Sequence, residues 1–145
     1  MEKYSAIDTG DDLERVLNGF MHEMRTWEAK YYQKSIESLD KSSLDTDLEE
    51  LMRNDLLNIF RKYVLEKGRN YDRVANLVCG KHPEYDDEND EIHDIKVSKK
   101  EASVTIRKTK GLTSVFRLIF TIDNGVFMVS GREFQHGQKW QKTYV

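Results

Sequence analysis

The sequence predicts an α+β fold, with two long N-terminal helices packed on a curved antiparallel sheet. Three observations predict it. Apolar residues recur at helical spacing through the first half, and alternate at strand spacing through the second. A DNG turn signal at 123–125 joins two alternating runs, as a hairpin requires. No repeat, low-complexity tract or linker interrupts the 145 residues, so one domain over 1–145 is expected.

The first helix is expected to start near Asp11 or Asp12, either of which can cap it. Leu13, Val16, Leu17, Phe20, Met24, Trp27 and Tyr31 then recur at three- and four-residue steps and define one apolar face. Ile36 and Leu39 continue the helix with a slight drift. "DKSSLDTD" interrupts it, and Ser43 or Asp45 suits the next cap. Leu48, Leu51, Met52, Leu56, Ile59, Phe60 and Tyr63 form the second stripe, which Gly68 is expected to end.

Strands follow. "RVANLVCG" alternates and is read as the first of them. "IHDIKV" alternates more weakly, and "ASVTIRK" turns Ala102, Val104 and Ile106 to one face. "VFRLIFTI" does the same with Phe116, Leu118, Phe120 and Ile122. "VFMVSGREF" returns after the DNG turn, with Gly131 marking a bulge or bend, and "KWQKTYV" supplies a last short strand. Helices laid in the hollow of such a bent sheet bury both sets of apolar faces at once.

Composition narrows the class. The single cysteine, Cys79, excludes an internal disulfide. The opening "MEKYSAIDTG" lacks the apolar core of a signal peptide, and "RLIFTI" is too short to span a bilayer. A cytoplasmic, soluble protein is expected. The net charge of −3 is unevenly spread. Residues 80–97 hold 2 Lys/Arg against 7 Asp/Glu, whereas residues 98–145 hold 9 against 3. Such polarity steers association with a charged partner.

The densest feature is "HPEYDDENDEIHDI", residues 82–95, with seven carboxylates and two imidazoles. A calcium loop would need a glycine at its turn and a spaced late glutamate, which "DDENDE" lacks. His82 and His93 are far apart with no further soft ligand near, so no metal or cofactor site is assigned. The plain reading is a solvated connector, since runs of like charge face water. The functional reading is a partner-facing acidic patch.

Other candidates fare less well. Asp94 and His93, with Tyr71 or Tyr85, would suit a sheet-lined enzyme pocket, but a specific base is hard to single out among so many acids. Cys79 beside His82 reads as a small buried hydrophobe rather than a nucleophile. Trp27 and Tyr31 share the core stripe, while Tyr32 faces elsewhere. Lys99, Lys100, Arg107, Lys108 and Lys110 read as solvated strand tips, and with no aromatics interleaved they make a poor nucleic-acid surface. Phosphate loops, His-x-x-His pairs and serine elbows do not occur.

Several local words carry a resemblance. "MRTWEAKYYQKSI", "IFRKYVLEKGRNYDR", "CGKHPEYD" and "KWQKTYV" resemble the immunity proteins of bacterial polymorphic toxin systems that have the cone-shaped fold of nuclear transport factor 2. The resemblance runs from about residue 20 to the end. The matching positions are Trp27, Tyr31, Tyr32, Arg69, Tyr71, Arg73, Pro83, Glu84, Tyr85, Asp86 and Trp140; His82 departs from the pattern, standing where a second proline is expected. The resemblance implies an inhibitor, not an enzyme, that binds a cognate toxin domain and occludes its surface.

Glu84, Tyr85, Asp86, Asp87, Glu88, Asp90 and Glu91 are the expected partner-binding residues. A toxin that is a nuclease, with its positive groove, would suit such a patch; no direct contact with nucleic acid or membrane is implied. The alternative is a small-molecule enzyme or ligand-binding protein of the same fold. That alternative needs an open polar chamber between helices and sheet, whereas an inhibitor needs a filled core and a charged exterior. Reversal of Asp86, Asp87 and Glu88 is expected to leave thermal melting nearly unchanged.

Overall fold

The computed structural model describes the backbone of residues 2–39 and 46–145, and the side chains of 12–37 and 47–145. Among these, three helices precede five strands: α1 (Glu2–Leu39), α2 (Thr46–Tyr63), the one-turn α3 (Asp72–Ala75), β1 (Glu91–Val97), β2 (Glu101–Arg107), β3 (Val115–Asp123), β4 (Val126–His136) and β5 (Lys139–Thr143). The α+β arrangement is the expected one.

α1 begins at Glu2, well before the expected start at Asp11 or Asp12. Asp and Gly are tolerated inside a helix at about 1 kcal/mol or less each, so a capping residue permits a start without compelling one. The caps expected at Ser43 and Asp45 lie outside the described residues. The α1 stripe is buried as its spacing predicts: Leu13, Leu17, Phe20, Met24, Trp27 and Tyr31 are all inside. α2 adds Met52, Leu56, Ile59 and Phe60. Leu51 and Ile36 are exposed instead of joining the stripes. Leu51 lies about 100° round the helix from Met52, on the side turned to solvent. The helices approach closely at Gly19, where an added Cβ would lie 2.7 Å from the Tyr63 hydroxyl oxygen. That hydroxyl donates to the Glu23 carboxylate.

α2 ends at Tyr63 rather than at Gly68. Val64 leaves the helix to bridge Val129 of β4, and the Leu65 N–H donates to the Val129 carbonyl at 2.9 Å. The strand expected over "RVANLVCG" is likewise absent: residues 72–75 form α3, and irregular backbone follows as far as β1. A strand would send Arg73 and Val74 to opposite faces, whereas one helical turn buries both. Here a tertiary demand overrides local β propensity.

The sheet is an antiparallel meander in the order β1-β2-β3-β4-β5. Ala102, Val104 and Ile106 of β2 and Phe116, Leu118 and Phe120 of β3 face the helices, as alternation predicts. Asn124 and Gly125 hold φ of 53° and 79°, the pair of left-handed residues a two-residue hairpin needs. The bulge expected near Gly131 is present: Ile119 pairs with Gly131 but Phe120 pairs with Val129, leaving Ser130 as the extra residue. The Ser130 hydroxyl closes it, accepting from Thr121 at 2.8 Å and donating to the Ile119 carbonyl at 3.2 Å. The bulge shifts the pleat by one residue. Val129 faces the core before it, and Arg132 and Phe134 do so after it, opposite Leu118 and Phe116.

Candidate partner-binding surface

The acidic stretch is a loop as far as Asp90 and continues as the start of β1, and buried side chains hold the loop in place. Glu28, on α1, is the central anchor. Its carboxylate takes Arg73 Nη2 at 3.0 Å, the Gly80 N–H at 2.9 Å and the Glu84 N–H at 2.8 Å. Both members of the Glu28–Arg73 pair are almost fully buried. One helix side chain thereby fastens the loop at its entry and again four residues on.

Arg132, turned inward by the bulge, is the second anchor. It pairs with Glu84 at 2.5 Å and lies over the rings of Phe116 and Tyr85, 4.5 and 5.3 Å from their centroids. Tyr85 is fully buried between Phe20 and Phe116, and its hydroxyl donates to the Val145 carbonyl at 3.1 Å. Burial pushes that phenol up to about 12. Burial also works against the charged form of Glu84, but Arg132, Arg73 and Lys108 outweigh it and hold the carboxyl below its ordinary value.

The tip of the loop folds on itself. Asp86 accepts the N–H groups of Glu88 and Asn89 at 3.0 and 3.2 Å and the Asn89 side-chain amide at 2.9 Å. Asp90 returns a bond to the Asp86 N–H at 3.0 Å and pairs with Lys108 at 3.0 Å. Burial raises the Asp90 carboxyl, and Lys108 only partly offsets this. Lys108 also donates to the Glu84 carbonyl at 3.0 Å, so this expected strand-tip lysine is a buried strut. Asp87 reaches α1, bonding Arg25 and, at 3.0 Å, His22. Partial burial opposes its charge, but Arg25 and His22 prevail and lower its carboxyl.

The seven residues proposed as contacts therefore divide. Tyr85, Asp86 and Asp90 are interior, and Glu84 and Asp87 are paired at the rim. Glu88 and Glu91 stand in solvent, with side chains 66% and 57% exposed; Glu88 lies 3.4 Å from Arg25 and Glu91 3.5 Å from His93. The anchors Glu28, Lys108 and Arg132 were not singled out from the sequence as structural. One signal was there for Arg132: a bulge at Gly131, followed through, turns residue 132 inward.

The enzyme-type constellations are not assembled. Tyr71 and Tyr85 spend their hydroxyls on the Val64 and Val145 carbonyls, while Asp94 and His93 sit exposed on β1. Burial pushes the Cys79 thiol up to about 12, with nearby Glu28 adding to the effect, which makes it an unactivated nucleophile. No metal-holding group of His, Cys, Asp and Glu occurs among the described residues. Phe20, Tyr85, Phe116 and Arg132 occupy the space between helices and sheet. A groove of about 730 Å³ lies instead on the outer sheet face, lined by Arg69, Glu101, Arg117 and Lys142 among others. No described helix is long and apolar enough to cross a membrane.

Helices seated on a bent five-stranded meander define the cone-like architecture of nuclear transport factor 2. A family model described as NTF2 fold immunity protein matches residues 12–144, and the chain belongs to that family. No curated protein and no solved structure matches it.

Proposed function

We propose that this chain, one immunity-type domain over residues 1–145, acts in the cytoplasm by binding a cognate toxin domain and covering its working surface, without catalysis of its own. The family match over residues 12–144 carries this reading. The packing of the interior supports it, because the aromatic and ion-paired side chains there leave the exterior as the part able to act.

The contact surface in this reading includes the acidic loop. Glu88 and Glu91 offer the solvent-exposed carboxylates, Glu84 and Asp87 form the rim, and Tyr85, Asp86 and Asp90 set its shape from within. A shape held by buried ion pairs is preorganised, so little ordering entropy is lost on docking. A toxin with a positive groove, such as a nuclease, would gain capture rate from these acids.

Asp86 is a poor probe of the contact, since its reversal would break the turn and lower thermal melting, contrary to the expectation from the sequence. Glu88→Lys is the clean variant. It should weaken growth rescue when co-expressed with the toxin and slow association, while Tm stays within a degree or so of wild type. The wild-type association rate should fall with rising salt. Full rescue by Glu88→Lys with a salt-independent rate would move the contact off this loop.

A further inference from the structure

The outer edge of β1, which adjoins the acidic loop at Glu91, carries a second proposal that does not depend on the toxin. Every residue of β1 is exposed. Its inner neighbour is β2, and among the described residues no strand pairs with its other edge. Pairing with β2 assigns the faces. Ile92, Ile95 and Val97 lie opposite Ile106, Val104 and Ala102, on the side of the core. They extend the apolar face of the sheet past the helices and remain 44%, 46% and 50% exposed, whereas their partners on β2 are buried. Glu91, Asp94 and Lys96 lie on the other face, opposite Arg107, Thr105 and Ser103.

An open edge with an apolar side is a liability unless something pairs with it or charges repel newcomers. The charges here are ordered. Glu91 and Asp94 occupy the first half of the strand, and Lys96 then Lys99 follow in the second half and the turn. Their local pairs, Glu91 with His93 at 3.5 Å and Lys96 with Asp94 at 3.8 Å, are solvent-exposed and contribute little. A parallel neighbour of the same sequence would set acid on acid and base on base. An antiparallel neighbour sets the acidic half of each strand against the basic half of the other.

We propose that β1 is a homodimer edge, with a second copy of the chain adding its own β1 antiparallel to form one continuous ten-stranded sheet. With Ile95 near the two-fold axis, Asp94 of each copy faces Lys96 of the other; the irregularity between Ile92 and Asp94 ends regular pairing short of Glu91, whose charge acts on the turn that holds Lys99 at longer range. The residues on the core side of the two strands join into one apolar strip across the axis. Because each copy uses the same edge, the assembly closes at two and does not grow into a filament. The contact is short and partly polar, so it is a weak dimer that concentration controls.

The test uses the full chain and two charge variants. Glu91→Lys/Asp94→Lys makes the edge basic throughout, and Lys96→Glu/Lys99→Glu makes it acidic throughout. Sedimentation equilibrium of the wild type should show concentration-dependent mass rising from 17.1 kDa toward twice that value. Each variant alone should stay monomeric, with an unchanged circular-dichroism melt. An equimolar mixture of the two should regain the dimer, which a folding defect would not permit. A wild type monomeric at the highest attainable concentration overturns the proposal. So does either variant dimerising like the wild type, or a mixture that stays monomeric.

Discussion

At the residue scale the decisive group is Glu28. It spends its two carboxylate oxygens on three donors drawn from residues 73, 80 and 84, all buried or half-buried. Arg73 has little else to meet: its Nε lacks a partner, its Nη2 is 3.5 Å from the Val78 carbonyl, and its guanidinium lies 5.7 Å from the Trp27 ring. Glu28→Ala should therefore leave a buried cation and two N–H groups stranded, and cost about 3–5 kcal/mol in denaturant unfolding. Adding Arg73→Met should recover a good part of that loss, because an apolar pair tolerates the same site without desolvating charge. If the double variant is no better than Glu28→Ala alone, the loss comes from the loop N–H groups and not from the arginine. A helical glutamate on a mostly charged surface gives no hint of such a role, since its partners lie 45 to 56 residues away.

At the element scale the β4 bulge does most to shape the site. One extra residue, Ser130, lets β4 show Val129 to the core and then Arg132 and Phe134 to the same face. Arg132→Ala keeps the bulge and removes the side chain that it turns inward. Glu84, Tyr85 and Phe116 would then lose the guanidinium they pack against. The loss should be at least about 3 kcal/mol, in the range that marks a disrupted buried network. The expected readout is a lower Tm together with a changed near-ultraviolet signal from Tyr85. A wild-type melt for Arg132→Ala would mean that the inward turn of residue 132 is incidental. Both features are legible in the sequence, in the glycine at 131 and the alternation on β3. The stretch after α2 was less legible, because "RVANLVCG" has strand-like periodicity but serves a partner on another helix.

For the whole molecule, the carboxylates set the response to acid. Glu23, Glu84 and Asp87 are opposed by burial, yet their cationic and hydroxyl partners hold them below their ordinary values of 4.5 and 3.8. A depressed folded pKa contributes stability that is complete above the unfolded value and disappears as pH falls through the folded one. Asp90 is raised by burial and acts with the opposite sign, so it stabilises as it protonates. With three groups against one, stability should decline on acidification below about pH 4.5. Asp87→Asn should make that decline shallower, as measured by the denaturant midpoint from about pH 6 to about pH 3. A decline as steep in the variant as in the wild type would show that Asp87 is not one of the groups responsible.

By itself the sequence determined the class of fold, the inward faces of α1, α2, β2 and β3, the DNG hairpin and the site of the bulge. These follow from periodicity and turn chemistry, which act over a few residues. Tertiary structure alone decided which acids are exposed. The carboxylates of residues 84–91 look equivalent in the chain, but Asp86 and Asp90 are consumed inside while Glu88 and Glu91 face water. That sorting depends on Glu28, Arg25, Lys108 and Arg132, which reach the loop from other elements. Only the folded chain brings charges so distant in sequence close enough for burial and pairing to compete.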